Sequence, residues 1–169
     1  RFSKRYIAGA TTQDAFRVAQ ALSREGAMCT LDILGEFIET TAAAEANARA
    51  YEKLLNDIQA DALSETNVSV KLSSLGLLLD ARLCLDLMRR VLTVAGAQRN
   101  FVRIDMEDSQ CTDATLEIYR TLREEFPGRV GVVLQSRLRR TIRDTELLSG
   151  EGANFRLCKG IYLEPRTIA

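Results

Sequence analysis

Histidine is absent from all 169 residues. That removes Ser-His-Asp and Cys-His nucleophile systems, and every histidine-containing metal site, from consideration within the chain. Net charge is absent too: 23 Lys and Arg balance 23 Asp and Glu, which argues against a nucleic-acid binder. No basic run reaches five residues, and an exposed helix start accounts for the densest cluster, Arg137, Arg139 and Arg140, as well as a phosphate site does. No apolar stretch approaches the ~20 residues of a membrane span; Leu75 to Leu79 is short and stops at Asp80. The chain starts at Arg1 without a signal-like apolar segment, so its amino end is expected to be a fragment boundary that says nothing about targeting. Cysteine is scarce: Cys29, Cys84, Cys111 and Cys158 form no CxxC. They read as small buried apolar residues in a reducing compartment, not as a disulfide framework or a metal site.

What is present is 46% hydrophobic residues, enough for one soluble globular unit with a core of its own. Strand-like runs start near Met28, Val68, Phe101, Val130 and Asn154, and a segment of helical period lies between each pair. Tyr51, Leu54, Leu55 and Ile58 share one helical face, with Thr41 placed to cap it. Leu83, Leu87, Val91 and Val94 make a second stripe. Ile118, Leu122 and Phe126 make a third, opened by Thr112 or Asp113 and ended by Pro127-Gly128. Thr141 to Leu148 is the shortest helix. One more precedes the first strand, over residues 11–25, with Thr11 or Thr12 as cap and Gly26 as stop.

Runs such as Val130-Gly-Val-Val-Leu134, apolar on both faces, belong in a parallel sheet covered by helices, and the alternation is the α/β signature. A doubly wound nucleotide fold places a glycine-rich turn directly after a strand. The only GxG here, Gly150-Glu-Gly152, precedes one, and there is no P-loop. A (β/α)8 barrel of the TIM type fits better. Eight strands and ~250 residues close such a barrel, so residues 1–169 are expected to form a partial barrel of about five βα units. The remaining strands, and part of the active site, are expected beyond Ala169.

In parallel α/β folds, ligands bind at the carboxyl ends of strands, and four apolar runs end there in chemically useful groups. Val68 to Val70 precede Lys71; Phe101 to Ile104, around Arg103, precede Asp105; Val130 to Leu134 precede Gln135; Phe155 to Leu157, around Arg156, precede Lys159. That pattern points to an enzyme. Lys71 offers a point charge suited to a carboxylate, or is simply solvated. Asp105 lies between Ile104 and Met106 and requires a cationic or hydroxyl partner. Glu107 and Asp108 read as loop acids or as a cap for the next helix. Arg156, in an apolar strand, meets either an anionic or electron-rich ligand or a structural carboxylate. Gln135 can donate and accept toward a ligand edge, or be satisfied by backbone. Two other readings fit the same residues: a Schiff-base lyase-type barrel using Lys71 or Lys159, and a non-catalytic α/β binding module.

Leu31-Asp-Ile-Leu-Gly-Glu36, Val68-Ser-Val-Lys-Leu-Ser73, Phe101-Val-Arg-Ile-Asp-Met-Glu-Asp108, Val132-Val-Leu-Gln135 and Arg156-Leu-Cys-Lys-Gly-Ile-Tyr-Leu-Glu-Pro165 occur in order, each at a strand's carboxyl end. Together they resemble the proline dehydrogenase family in its monofunctional bacterial form. The resemblance implies an FAD-binding barrel that oxidises L-proline to 1-pyrroline-5-carboxylate, with hydride passing to FAD and electrons to a quinone. It implies a cytoplasmic location, peripheral to the inner membrane through segments outside this chain. Asp105 and Arg156 would be catalytic, with Arg156 near the flavin's reactive nitrogen. Met106, Gln135, Arg156, Leu157, Cys158 and Lys159 would hold the cofactor, with Gln135 at the pyrimidine edge and Gly160 permitting close approach. Lys71, Leu157 and Tyr162 would contact substrate, and no metal is implied. The chain departs from the family pattern at Cys158, where valine is usual, at Ile161, where alanine is usual, and at Ser136-Arg137. The family's paired arginines for the proline carboxylate lie beyond Ala169, so the isolated segment is expected to be inactive and to bind flavin poorly.

Overall fold

A computed structural model describes residues 8–168. Its elements alternate: α1 (Thr12–Arg24), β1 (Cys29–Asp32), α2 (Thr41–Ala60), β2 (Thr66–Lys71), a 3-10 turn (Leu72–Leu75), α3 (Ala81–Ala97), β3 (Val102–Asp105), α4 (Ser109–Glu125), β4 (Val130–Gln135), α5 (Thr141–Gly150) and β5 (Phe155–Cys158). The five strands are parallel and lie in chain order, β1-β2-β3-β4-β5. This is the βα repeat read from the sequence, arranged as an open arc of TIM-barrel type, with no closure among the described residues.

Period-two alternation divides the sheet. Val68, Val70, Val102, Ile104, Val132 and Leu134 form one face and are fully buried with Leu55, Leu87 and Leu122 from the helices. The opposite, concave face carries Ser69, Lys71, Arg103, Asp105, Val133, Gln135, Arg156 and Cys158. Gly131 leaves room there for Arg103: a Cβ would stand 2.3 Å from Arg103 Nη1, so the guanidinium would have to move. Through that gap the guanidinium donates to Asn154 Oδ1 at 2.8 Å and rests on the Phe101 ring at 4.8 Å. Arg103 thus braces the amino-terminal half of the concave face, and does not pair with Asp105.

Helix starts refine three expectations. Thr11 caps α1 through a capping box with Asp14. Thr40, not Thr41, caps α2: its extended backbone lets Oγ1 accept from Ala43 N at 3.2 Å, whereas Thr41 is already helical. Asp108, not Thr112 or Asp113, caps α4, accepting from Cys111 N, so the helix begins a turn earlier and buries Thr112. In α3 the buried face comprises Cys84, Leu87, Met88, Val91, Leu92 and Ala95, because the helix packs beside α2 and against the 3-10 turn and α4; Leu83 and Val94 are half-buried at its margins. Arg140 pairs with Asp113 at 2.7 Å and Asp144 at 2.6 Å, so this part of the arginine cluster belongs to a helix start.

Candidate active site

Strand register brings the expected residues to one level. Lys71 lies opposite Asp105 in the β2–β3 ladder, and Val133 opposite Arg156 in the β4–β5 ladder. The carboxyl ends enclose a cleft of about 370 Å³, walled by Lys71, Asp105, Met106 and Gln135 on one side and by Arg156, Cys158 and residues 159–162 on the other. Nearly every residue singled out from the sequence therefore meets here. Leu157 is the exception: alternation turns it to the opposite face of β5, where it is 53% exposed and does not line the cleft.

Charges alternate around the wall. Lys71 Nζ is 3.0 Å from Asp32 Oδ2 and 3.3 Å from Glu36 Oε1, and Tyr51 Oη donates to Asp32 Oδ1 at 2.9 Å. Partial burial works against the Lys71 ammonium, but the two carboxylates outweigh it and hold its pKa above the ordinary lysine value. Burial, reinforced by the charge of Asp32, pushes the Tyr51 phenol up, so it donates as a neutral hydroxyl. Asp105 has the cationic partner its apolar neighbours require: Arg156 Nη2 donates to Asp105 Oδ1 at 2.8 Å. Half of the Arg156 side chain remains exposed, so this contact leaves donors for a ligand.

Gln135 is buried at the end of β4. Its Nε2 donates to Met106 O at 2.8 Å and Glu107 O at 3.0 Å, which fixes which end of the amide is nitrogen, while the buried Oε1 has no hydrogen-bond partner among the described residues. Backbone carbonyls satisfy the amide nitrogen, as one of the two sequence readings of Gln135 had it. Gly160 closes over it with φ +94°, and a Cβ there would stand 2.7 Å from Oε1. Opposite, burial drives the Tyr162 phenol upward, with Glu36 and Glu107 adding to the effect.

Sequence reasoning missed Glu107. Read as a loop acid, it is 1% exposed; Oε1 accepts from Ser73 N at 2.9 Å, and Oε2 accepts from Ser73 Oγ. Ser73 Oγ also accepts from Phe37 N at 3.1 Å, so one carboxylate joins the loops that follow β1, β2 and β3. Burial raises the Glu107 pKa despite both bonds from Ser73. Asp32 was missed as well, although the position of an acid at the end of the first apolar run was signal enough.

Comparison with known proteins agrees with this geometry. The proline dehydrogenase family model matches residues 15–167. Proline dehydrogenase from Deinococcus radiodurans is 40% identical over 171 residues, covering 99% of this chain and 55% of that protein. Proline dehydrogenase 1 from Bacillus subtilis strain 168 is 35% identical over 167 residues, with the same coverage of 99% and 55%. The chain therefore spans about half the length of these relatives. Among solved structures, proline utilization A from Bdellovibrio bacteriovorus, inactivated by N-propargylglycine, aligns with a TM-score of 0.81 and 27% identity, covering 92% of this chain and 20% of that one. From the strand-end constellation and these matches, the chain belongs to the proline dehydrogenase family.

Proposed function

We propose that the protein oxidises L-proline to 1-pyrroline-5-carboxylate at a bound FAD. The observation that carries the reading is the Asp105–Arg156 pair standing beside the unpartnered Oε1 of Gln135 within a family-matched cleft. The residues fit a flavin. An isoalloxazine edge bears an N–H between two carbonyls, and Gln135 Oε1 is a buried acceptor without a donor. Gly160 leaves space where any side chain would intrude, and Arg156 and Lys159 set cations along the same wall. When bound, the flavin supplies the hydride acceptor.

The protein's residues supply binding, orientation and electrostatics. Asp105 fixes the Arg156 guanidinium through one nitrogen and leaves its other N–H groups available, and these would stabilise negative charge on a reduced flavin held in the cleft. Met106 and Cys158 add apolar surface to the cleft lining. Lys71 is held in place by Asp32 and Glu36 and adds positive charge on the substrate side, and Tyr162 walls that side. Electron transfer to a quinone, in a cytoplasmic setting peripheral to the inner membrane, completes the proposal on the family resemblance. No helix among the described residues is long and apolar enough to cross a membrane.

Lys71 also weighs against the Schiff-base reading in which it is the nucleophile. A nucleophilic lysine needs a depressed pKa, and two carboxylates hold Lys71 in the opposite direction. The test is an anaerobic absorbance spectrum of the protein at its relatives' full length, before and after L-proline. A flavin band that bleaches supports the reading; a flavin band that proline leaves unchanged removes the substrate assignment, and no flavin removes the reading altogether.

A further inference from the structure

The segment after β5 crosses the cleft mouth as a strap. At its start Ser136 N donates to Cys158 O at 2.7 Å and Arg137 N to Lys159 O at 3.0 Å; at its far end Arg139 N donates to Ile168 O at 3.0 Å. Between these anchors the strap carries Tyr162 against the cleft. Its apolar side chains do little to hold it, since Ile161 is 84% and Leu163 94% exposed. Arg139 Nη2 donates to Arg166 O at 3.2 Å near the far anchor, and nearer the cleft the grip is Glu164, whose two carboxylate oxygens accept from Ser109 N and Ser109 Oγ, both at 2.7 Å.

Ser109 opens α4, a helix of 17 residues. The first turn of a helix has backbone N–H groups without intrahelical partners and a dipole that favours anions. The capping side chain of Asp108 is occupied with Cys111 N, which leaves Ser109 N for Glu164. Both contacts to Glu164 are charge-assisted, the stronger kind of hydrogen bond. Pro165 restricts the backbone of the preceding residue to extended conformations, so the carboxylate is already aimed.

We propose that Glu164 is a positioning residue, a latch whose grip on the start of α4 holds the strap so that Tyr162 forms the substrate-side wall of the cleft. The identity of that substrate rests on the proline oxidation proposed above; the latch itself does not.

Hydrogen exchange and limited trypsin digestion of the purified chain and its E164A variant test the latch directly. Faster exchange over residues 160–164 and severalfold faster cleavage after Lys159 and Arg166, with β2 to β4 unchanged, are expected. E164Q, which keeps one acceptor without the charge, falls between. Equal exchange and cleavage in E164A and the parent overturn the latch. In the protein at its relatives' full length, E164A is expected to raise the KM for proline about tenfold, the worth of a charge-assisted hydrogen bond, with kcat and flavin content retained. Adding E164A to Y162A should then raise KM no further, because the effect passes through Tyr162; an additive double variant refutes the wall. Loosening of the strap in E164A, in a protein whose parent binds no flavin, would leave the latch standing and remove only the function. Bleaching by proline with an unchanged KM in E164A would do the reverse, removing the wall and keeping the function.

Discussion

At Gly160 a methyl group would stand 2.7 Å from Gln135 Oε1, in a backbone conformation with φ +94° that side chains rarely adopt. G160A is therefore expected to cost about 1–3 kcal/mol in unfolding free energy and to weaken flavin binding, checked by urea melts and by flavin absorbance per chain. Glu107 makes a prediction of opposite character. Burial raises its pKa above that of the unfolded chain, so its contribution to stability is complete below the unfolded value and is lost as pH rises through the folded one. Stability should decline across that window in the parent and lose this slope in E107Q, as read from urea midpoints between pH 4 and 8; matching slopes would refute it. The two residues differ in how far the sequence revealed them. Asp105 and Arg156 could be found because each ends or interrupts an apolar run, which places it at a strand's carboxyl end. The environment of Glu107 depends on Ser73, 34 residues away, and no local pattern reports a contact of that range.

At the scale of elements, the helices and strands were legible from period, and their starts less so. A stripe of apolar residues marks a helix face, but a cap is set by backbone angles at one residue, and adjacent candidates such as Thr40 and Thr41 look alike until those angles are known. Thr40→Ala should cost about 1 kcal/mol by removing the acceptor for Ala43 N, while Thr41→Ala costs less than half of that; paired thermal melts check the order. The early start of α4 has a functional side. Because Asp108 caps the helix immediately after the Asp105-Met106-Glu107 segment, α4 begins at the cleft, where Glu164 can reach Ser109. A start at Thr112 would have left that carboxylate without a partner.

The described residues form an arc of five parallel strands alternating with helices, and alternating periods were sufficient to read that class. The curvature of a barrel, the identity of the concave face and the meeting of the four strand ends come from strand register, which period alone does not supply. The cleft is walled by β2 to β5 and the strap, and Leu157 is half-exposed on the far side. We therefore expect the isolated 169-residue chain to show no proline-dependent flavin bleaching, while a chain of the relatives' length bleaches; activity in the isolated chain would contradict the first half. Strand order carries a further consequence. Each described strand after β1 pairs with the strand made just before it, from β2 on β1 through to β5 on β4, so none of these four pairings waits for a distant segment. On a ribosome, which delivers the chain from its amino end, each βα unit can dock on a finished neighbour as it emerges. The sheet grows in one direction, with β5 as its advancing front.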